Sequence, residues 1–279
     1  MKRRSTGRWW ATGLYYGALL LLSLPFVLPL LWMLATAFKP TAQIYGAPLA
    51  LWPSPMTLAN FRVAWHLLDF PRFFANSLWV TGLSMVGAIL SSALVGYAFA
   101  TLPARGKGML FTLLLMTMML PPVATLIPQF VLFSALGWVN SYWPLILPSF
   151  FANAFYVFLF RQFFLGLPRE LFESAEIDGC NPLLAFRWLA LPLATPAIAT
   201  VAIFAFISGW NDFLNPLIYL STTSKFTLSL GLALFQGLFY TQLEYLMPMA
   251  LVGLAPVLLL FCLAQRYFVQ GIVTTGIQG

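Results

Sequence analysis

Polar and apolar positions do not alternate along this chain; apolar residues run in long stretches free of charge. Such windows cover 9–38, 73–104, 108–160, 188–211, 226–243 and 245–265. A membrane-spanning helix needs roughly 20 consecutive apolar residues, and all but the 226–243 window exceed that length. The 108–160 window is long enough for two helices. The pattern predicts an all-α polytopic membrane protein with six transmembrane helices at 13–37, 75–102, 109–135, 143–165, 191–210 and 246–267. The window at 226–243 contains Gln236, Thr241, Gln242 and two glycines. It reads better as a helix buried in protein or lying at the outer interface than as a seventh span.

Composition supports this reading. Of 279 residues, 61% are hydrophobic and 8% charged, against about 25% charged in a typical soluble domain. A soluble enzyme, a disordered scaffold and a single-pass anchor are excluded. The apolar stretch from Gly13 to Phe38 outlasts the roughly 7–15 residues of a signal-peptide core, so it reads as an uncleaved first span. The domain reading is a cytoplasmic N-terminus over 1–12 and a transmembrane domain over 13–279, with its core of spans over 75–267. With the N-terminus inside, the cytoplasmic segments hold Lys2, Arg3, Arg4, Arg8, Arg105, Lys107, Arg161, Arg169, Arg187 and Arg266. The outer segments hold Lys39, Arg62, Arg72 and Lys225. That asymmetry follows the positive-inside rule and puts both termini in the cytoplasm.

Within the spans, Ala88, Ser92, Gly96 and Ala100 recur every four residues and form a smooth stripe for a close helix neighbour. Gly13 and Gly17 form a GxxxG at the start of the first span. Pro121, Pro122 and Pro128 interrupt the third span, and Pro192 and Pro196 mark the fifth. Each removes a backbone N–H and bends its helix, which is tolerated where protein or a water-filled cavity satisfies the freed carbonyls. Trp9, Trp10, Trp52, Trp65, Trp138, Trp143, Trp188 and Trp210 sit near span ends, as an aromatic belt does. Cys180 and Cys262 cannot build a disulfide framework, and His66 has no companion ligand for a metal.

Four of the seven acids, Glu170, Glu173, Glu176 and Asp178, gather in the loop between spans four and five. Pro168 and Glu170 suit a first helical turn. Gly179 suits a left-handed helix end, and Asn181 with Pro182 suits the start of a second helix. The loop therefore reads as helix, glycine turn, helix. Glu173 and Glu176 share a face, but no nucleophile or metal ligand accompanies them, so acid–base catalysis is not indicated. A solvated charged loop and a docking helix both remain open readings. In the second, Leu171, Phe172 and Ala175 form an apolar face rimmed by carboxylates.

These residues carry a resemblance. Glu173-Ser174-Ala175, Ile177-Asp178-Gly179, Leu191-Pro192 and Pro196 resemble the EAA loop of ABC-importer permeases, with Ser174 where alanine is usual. Trp210-Asn211-Asp212-Phe213-Leu214 with Pro216-Leu217 is similar to the motif after span five in sugar-importer permeases. The run Gln265-Arg266-Tyr267-Phe268-Val269-Gln270-Gly271, followed by Gly276 and Gly279, resembles the family's C-terminal signature. Phe74, Asn76, Ser77 and Leu78 fit as well. The closest likeness is to the smaller permease of maltose-type carbohydrate importers.

The resemblance implies a type I ABC importer permease fold and a binding-protein-dependent sugar or oligosaccharide importer in a bacterial inner membrane. It implies a second permease subunit, two cytoplasmic ATPase subunits and an extracytoplasmic solute-binding protein as partners. No cofactor is expected in this chain; ATP and Mg would be bound by the ATPases. Consistently, no GxxxxGK[ST] loop occurs, since Gly106-Lys107-Gly108 lacks both spacing and hydroxyl. The loop at 166–190 would couple to the ATPases through Leu171, Phe172, Glu173, Ser174, Ala175, Asp178 and Gly179. Gln129, Asn153, Asn211 and Asp212 are candidates for the translocation path, because intramembrane polar groups tend to face a cavity. An ABC permease for polyamines or phosphate esters is the alternative. An ion-coupled secondary transporter would need an intramembrane ionisable residue, and only Asp212 approaches one.

Overall fold

The computed structural model describes residues 7–237 and 241–275. The architecture rests on α1 (Gly7–Ala37), α2 (Phe70–Thr101), α3 (Lys107–Thr117), α4 (Pro122–Ala135), α5 (Ala154–Leu165), α6 (Arg169–Ile177), α7 (Thr195–Trp210) and α8 (Leu243–Thr275). Among the described residues, extended pairing is confined to one isolated bridge between Gln236 and Thr241. Lys2, Arg3, Arg4, Gly276 and Gly279 lie outside the described residues, and the side chains of Arg8, Trp9, Trp10 and 265–271 are likewise outside the description.

Four stretches are long and apolar enough to cross a bilayer without a sharp bend: Thr12–Ala37, Phe70–Thr101, Trp143–Leu165 and Leu243–Leu263. Two more are bent pairs, α3 with α4 at 93° and Pro182–Leu193 with α7 at 78°. These six segments fall on the six expected spans, and the bends fall on the prolines. Pro121 is extended at ψ 132° just before α4, which ends any continuation of α3. In the other pair, Phe186–Ala190 widens into a π-helical turn ahead of Pro192. A wider turn relieves the clash of a proline ring with the carbonyl four residues back.

The chain divides into two compact units, one formed by the chain up to Leu68 with Leu234–Val252, the other by Asp69–Ala233 with the chain from Gly253 onward. In the first unit, α1 leaves its apolar window wholly exposed, and Gly13 and Gly17 face open space. A helix apolar on all sides is at home in lipid or against another membrane protein. The Pro48 carbonyl accepts from Trp32 Nε1 (2.8 Å) and from Lys39 Nζ (3.1 Å). Asn60 Nδ2 donates to the Lys39 carbonyl at 2.8 Å. The Tyr45 hydroxyl donates to Glu244, at the start of α8.

The second unit is organised on α2, which packs against α5 and α7. The small-residue stripe makes the first contact possible. A Cβ at Gly96 would stand 2.7 Å from Phe160 Cβ and 3.0 Å from the Arg161 backbone N. Beside it lies a core of Ala93, Tyr97, Phe160, Phe164, Phe186, Ala190, Ala194, Ala197 and Val201. At the other end of α2, Asn76 Nδ2 donates to the carbonyls of Ser224 and Phe226, and Ser77 Oγ accepts from Leu228 N at 2.6 Å. The helix they seat, Leu228–Ala233, buries Leu228, Leu230 and Gly231. The weak 226–243 window is thus partly a short helix buried in protein. Trp210 departs from the belt reading. It is buried, and its Nε1 donates to the Gly253 carbonyl at 2.9 Å. Trp52, Trp143 and Trp188 are exposed, as the belt requires.

Two outcomes follow. Gly96→Leu should lower the unfolding midpoint of the purified protein by the equivalent of about 3 kcal/mol, because backbone atoms cannot yield to the added side chain; Gly82→Ala, with nothing within 4 Å, should leave it nearly unchanged. Burial lowers the Lys39 pKa, so the unfolded chain holds that proton more tightly than the folded one. Stability should therefore climb with pH towards the ordinary lysine range and fall as pH drops through the lowered value. Lys39→Met should flatten the pH dependence of the melting curve and, by removing a desolvated charge, raise stability near neutrality.

Candidate functional site

Inside the second unit lies a cavity of about 470 Å³. Its wall draws on α2 (Thr81, Ser84, Ala88), the last residue of α3 (Thr117), the middle of α4 (Gln129), the segment 144–156 and α7 with its sequel (Ser208, Gly209, Asp212, Asn215). Helix ends thus reach this cavity. Thr117 ends α3, and Pro144, Pro148 and Pro216 also stand on the wall. Interrupted helices are tolerated at membrane depth where they line a polar cavity, and the fold uses its prolines in this way.

Two of the wall's polar groups are held by the local chain. Asn153 caps α5, its Oδ1 accepting from Phe155 N (3.0 Å) and Tyr156 N (3.4 Å). That requirement for an Ncap acceptor, satisfied by asparagine, orients the side chain at the cavity edge. The Asp212 carboxylate accepts from Asn215 N (3.2 Å) and Asn215 Nδ2 (2.8 Å), while the Ser229 hydroxyl donates to its backbone carbonyl. Ser84 donates its hydroxyl to the Leu145 carbonyl at 3.1 Å.

Three of the four path candidates therefore come together: Gln129, Asn153 and Asp212. Asn211 does not join them. It is exposed, and its Nδ2 turns back to the Ile207 carbonyl at 2.9 Å. Asn215 was not singled out from sequence, although its spacing of three from Asp212 is that of a side-chain acceptor for a turn N–H. Thr81 and Ser208 were also missed, since a hydroxyl inside an apolar run gives no sign of which way it faces.

The acidic loop folds as its punctuation predicts. After α6, Gly179 takes φ +82°; its N–H reaches the Glu176 carbonyl (3.0 Å) and Cys180 N the Ala175 carbonyl (2.9 Å). This is the Schellman arrangement, and only glycine adopts that φ without strain. Asn181 Oδ1 then accepts from Leu184 N at 2.9 Å and caps Pro182–Ala185. Glu170, Glu173, Ser174, Glu176 and Asp178 are exposed, and none of the carboxylates pairs with a cation among the described residues.

The apolar stripe faces differently from the docking reading. Leu171, Phe172 and Ala175 are half-buried, and the Phe172 ring packs on Tyr97 at 6.0 Å between centroids. Tyr97 also meets Phe164 at 5.8 Å and Phe186 at 5.2 Å. An aromatic socket on α2 thus takes up Phe172. The outward apolar residues include Ile177, 87% exposed, Leu183, and Trp188, 70% exposed with the Arg187 guanidinium 5.1 Å from its ring.

The sequence pattern of the binding-protein-dependent transport system inner membrane components matches residues 88–273. The chain is 36% identical over 256 residues to an arabinooligosaccharide transport system permease of Halalkalibacterium halodurans, covering 91% of each. It is 32% identical over 252 residues to a sulfoquinovosyl glycerol transport system permease of Agrobacterium fabrum, covering 90% of this chain and 88% of that one. Its fold matches a chain from the crystal structure of a bacterial ABC transporter involved in the import of the acidic polysaccharide alginate. The TM-score is 0.83 at 22% identity, over 96% of this chain and 99% of the other. With a family match over two thirds of its length and relatives aligned nearly end to end, this chain belongs to the binding-protein-dependent transport system inner membrane components.

Proposed function

We propose that this chain is one of the two permeases of an ATP-driven importer for a sugar or oligosaccharide in a bacterial inner membrane. The observation that carries the reading is the polar cavity walled by several spans, with hydroxyls, amides and one carboxylate set among apolar helices. Those groups suit a solute rich in hydroxyls, and relatives named for oligosaccharide transport agree with that chemistry. An extracytoplasmic binding protein delivers the solute, and a second permease completes the pathway.

Energy comes from two cytoplasmic ATPase subunits, which bind ATP and Mg. The loop at 166–190 receives them, with both termini on the same cytoplasmic side. Glu173 offers an unpaired carboxylate to a basic residue of an ATPase, and Ser174 and Asp178 lie beside it on the exposed surface. Phe172 seats the helix on Tyr97 of α2, with Leu171 and Ala175 half-buried beside it, so that movement of the loop bears on the span that also walls the cavity. Gly179 sets the angle between the two loop helices. Closure of the ATPases then rocks the spans as rigid bodies and exposes the cavity to the other side.

The test is uptake in proteoliposomes holding the full complex, with labelled arabinooligosaccharide as probe. Uptake should require both ATP and the binding protein; flux driven by an ion gradient without ATP overturns the reading. Glu173→Arg should insert in the membrane yet lose at least about tenfold in uptake and in co-purified ATPase, since charge reversal at a contact costs both attraction and specificity. Gly179→Val, which strains the turn by about 1–2 kcal/mol or more, should behave alike. Undiminished assembly and uptake in both variants would refute the docking assignment.

A further inference from the structure

The cavity wall carries a charge pattern that narrows the solute, and the inference rests on the importer reading above. Among the described lining residues Asp212 is the one charged side chain and Tyr156 the one other titratable group, with no lysine, arginine or histidine among them. The carboxylate has no cationic partner among the described residues. It is held instead by neutral donors, the backbone and side-chain N–H groups of Asn215. Around it are neutral amides, Gln129 and Asn153, and hydroxyls, Thr81, Ser84 and Ser208.

We propose that Asp212 makes this wall a charge filter, which accepts neutral hydroxyl-rich saccharides and rejects those bearing carboxylate or sulfonate groups. A carboxylate accepts hydrogen bonds from sugar hydroxyls and, being ionised, makes the stronger kind. The same charge repels an anionic sugar. In a cavity of this size a solute anion lies within about 8 Å of Asp212, and at an effective dielectric of about 20 the repulsion amounts to about thirtyfold in binding.

The probes are 1,4-linked galactotriose and trigalacturonate, which differ in oxidation at C6. Each is radiolabelled and dialysed against the assembled permease–ATPase complex in nanodiscs without binding protein, so that selection belongs to the membrane cavity. The native complex should retain galactotriose over trigalacturonate by at least about tenfold, and added salt should narrow the gap. Asp212→Asn, which keeps an oxygen acceptor for Asn215 N, should bring the ratio near one, chiefly by raising trigalacturonate. Equal retention by the native complex, retention of neither probe, or an unchanged ratio in the variant overturns the filter. Failure of ATP-dependent galactotriose uptake in proteoliposomes, with the binding ratio intact, instead overturns the importer reading and leaves the filter standing.

Discussion

The approach of α2 to α5 at Gly96 is the contact on which the rest of the second unit depends. With no side chain at that position, the two helices come near enough for Phe160 Cβ to occupy the space a Cβ would need. Lipid offers no hydrophobic advantage to burying one apolar helix against another, so association relies on close van der Waals fit. From that contact α2 extends both ways. At one end Tyr97 gathers Phe164, Phe172 and Phe186; towards the other, Val80, Thr81, Ser84 and Ala88 form cavity wall. A single rigid helix thus touches both the acidic loop and the polar cavity.

The prolines make that cavity possible. A backbone break inside a bilayer strands polar groups unless protein or water meets them. Here α3, ending at the 93° break, brings Thr117 to the polar wall, and α4 beyond the break brings Gln129. The π-helical turn at Phe186–Ala190 does different work, placing Phe186 on Tyr97 and Ala190 in the same core. The kinks are therefore positional devices in two senses: one opens space, the other fills it.

Much of this was legible in the order of residues. Charge-free runs located the spans because a charge at the bilayer centre is costly wherever it falls in the sequence. Pro121–Pro122, Gly179 and Asn181 announced their roles because helix ends are governed by local backbone geometry. The path residues were legible in part: Gln129, Asn153 and Asp212 line the cavity, whereas Asn211, adjacent to Asp212, satisfies itself on its own helix end. One residue along a helix turns a side chain by about 100°, and no composition rule says which neighbour faces inward.

The sequence by itself determined the class, the number of apolar segments, the places where helices stop and the clustering of acids in one loop. These depend on solvation and on backbone conformation over a few residues. Only the tertiary structure decided that Phe172 seats on Tyr97, that Trp210 is buried against the Gly253 carbonyl, and that Asn215 and Ser208 share a wall with Gln129. The physical reason is that facing is a relation between helices. An apolar side chain finds lipid, a partner or its own core almost equally hospitable, and packing geometry chooses among them.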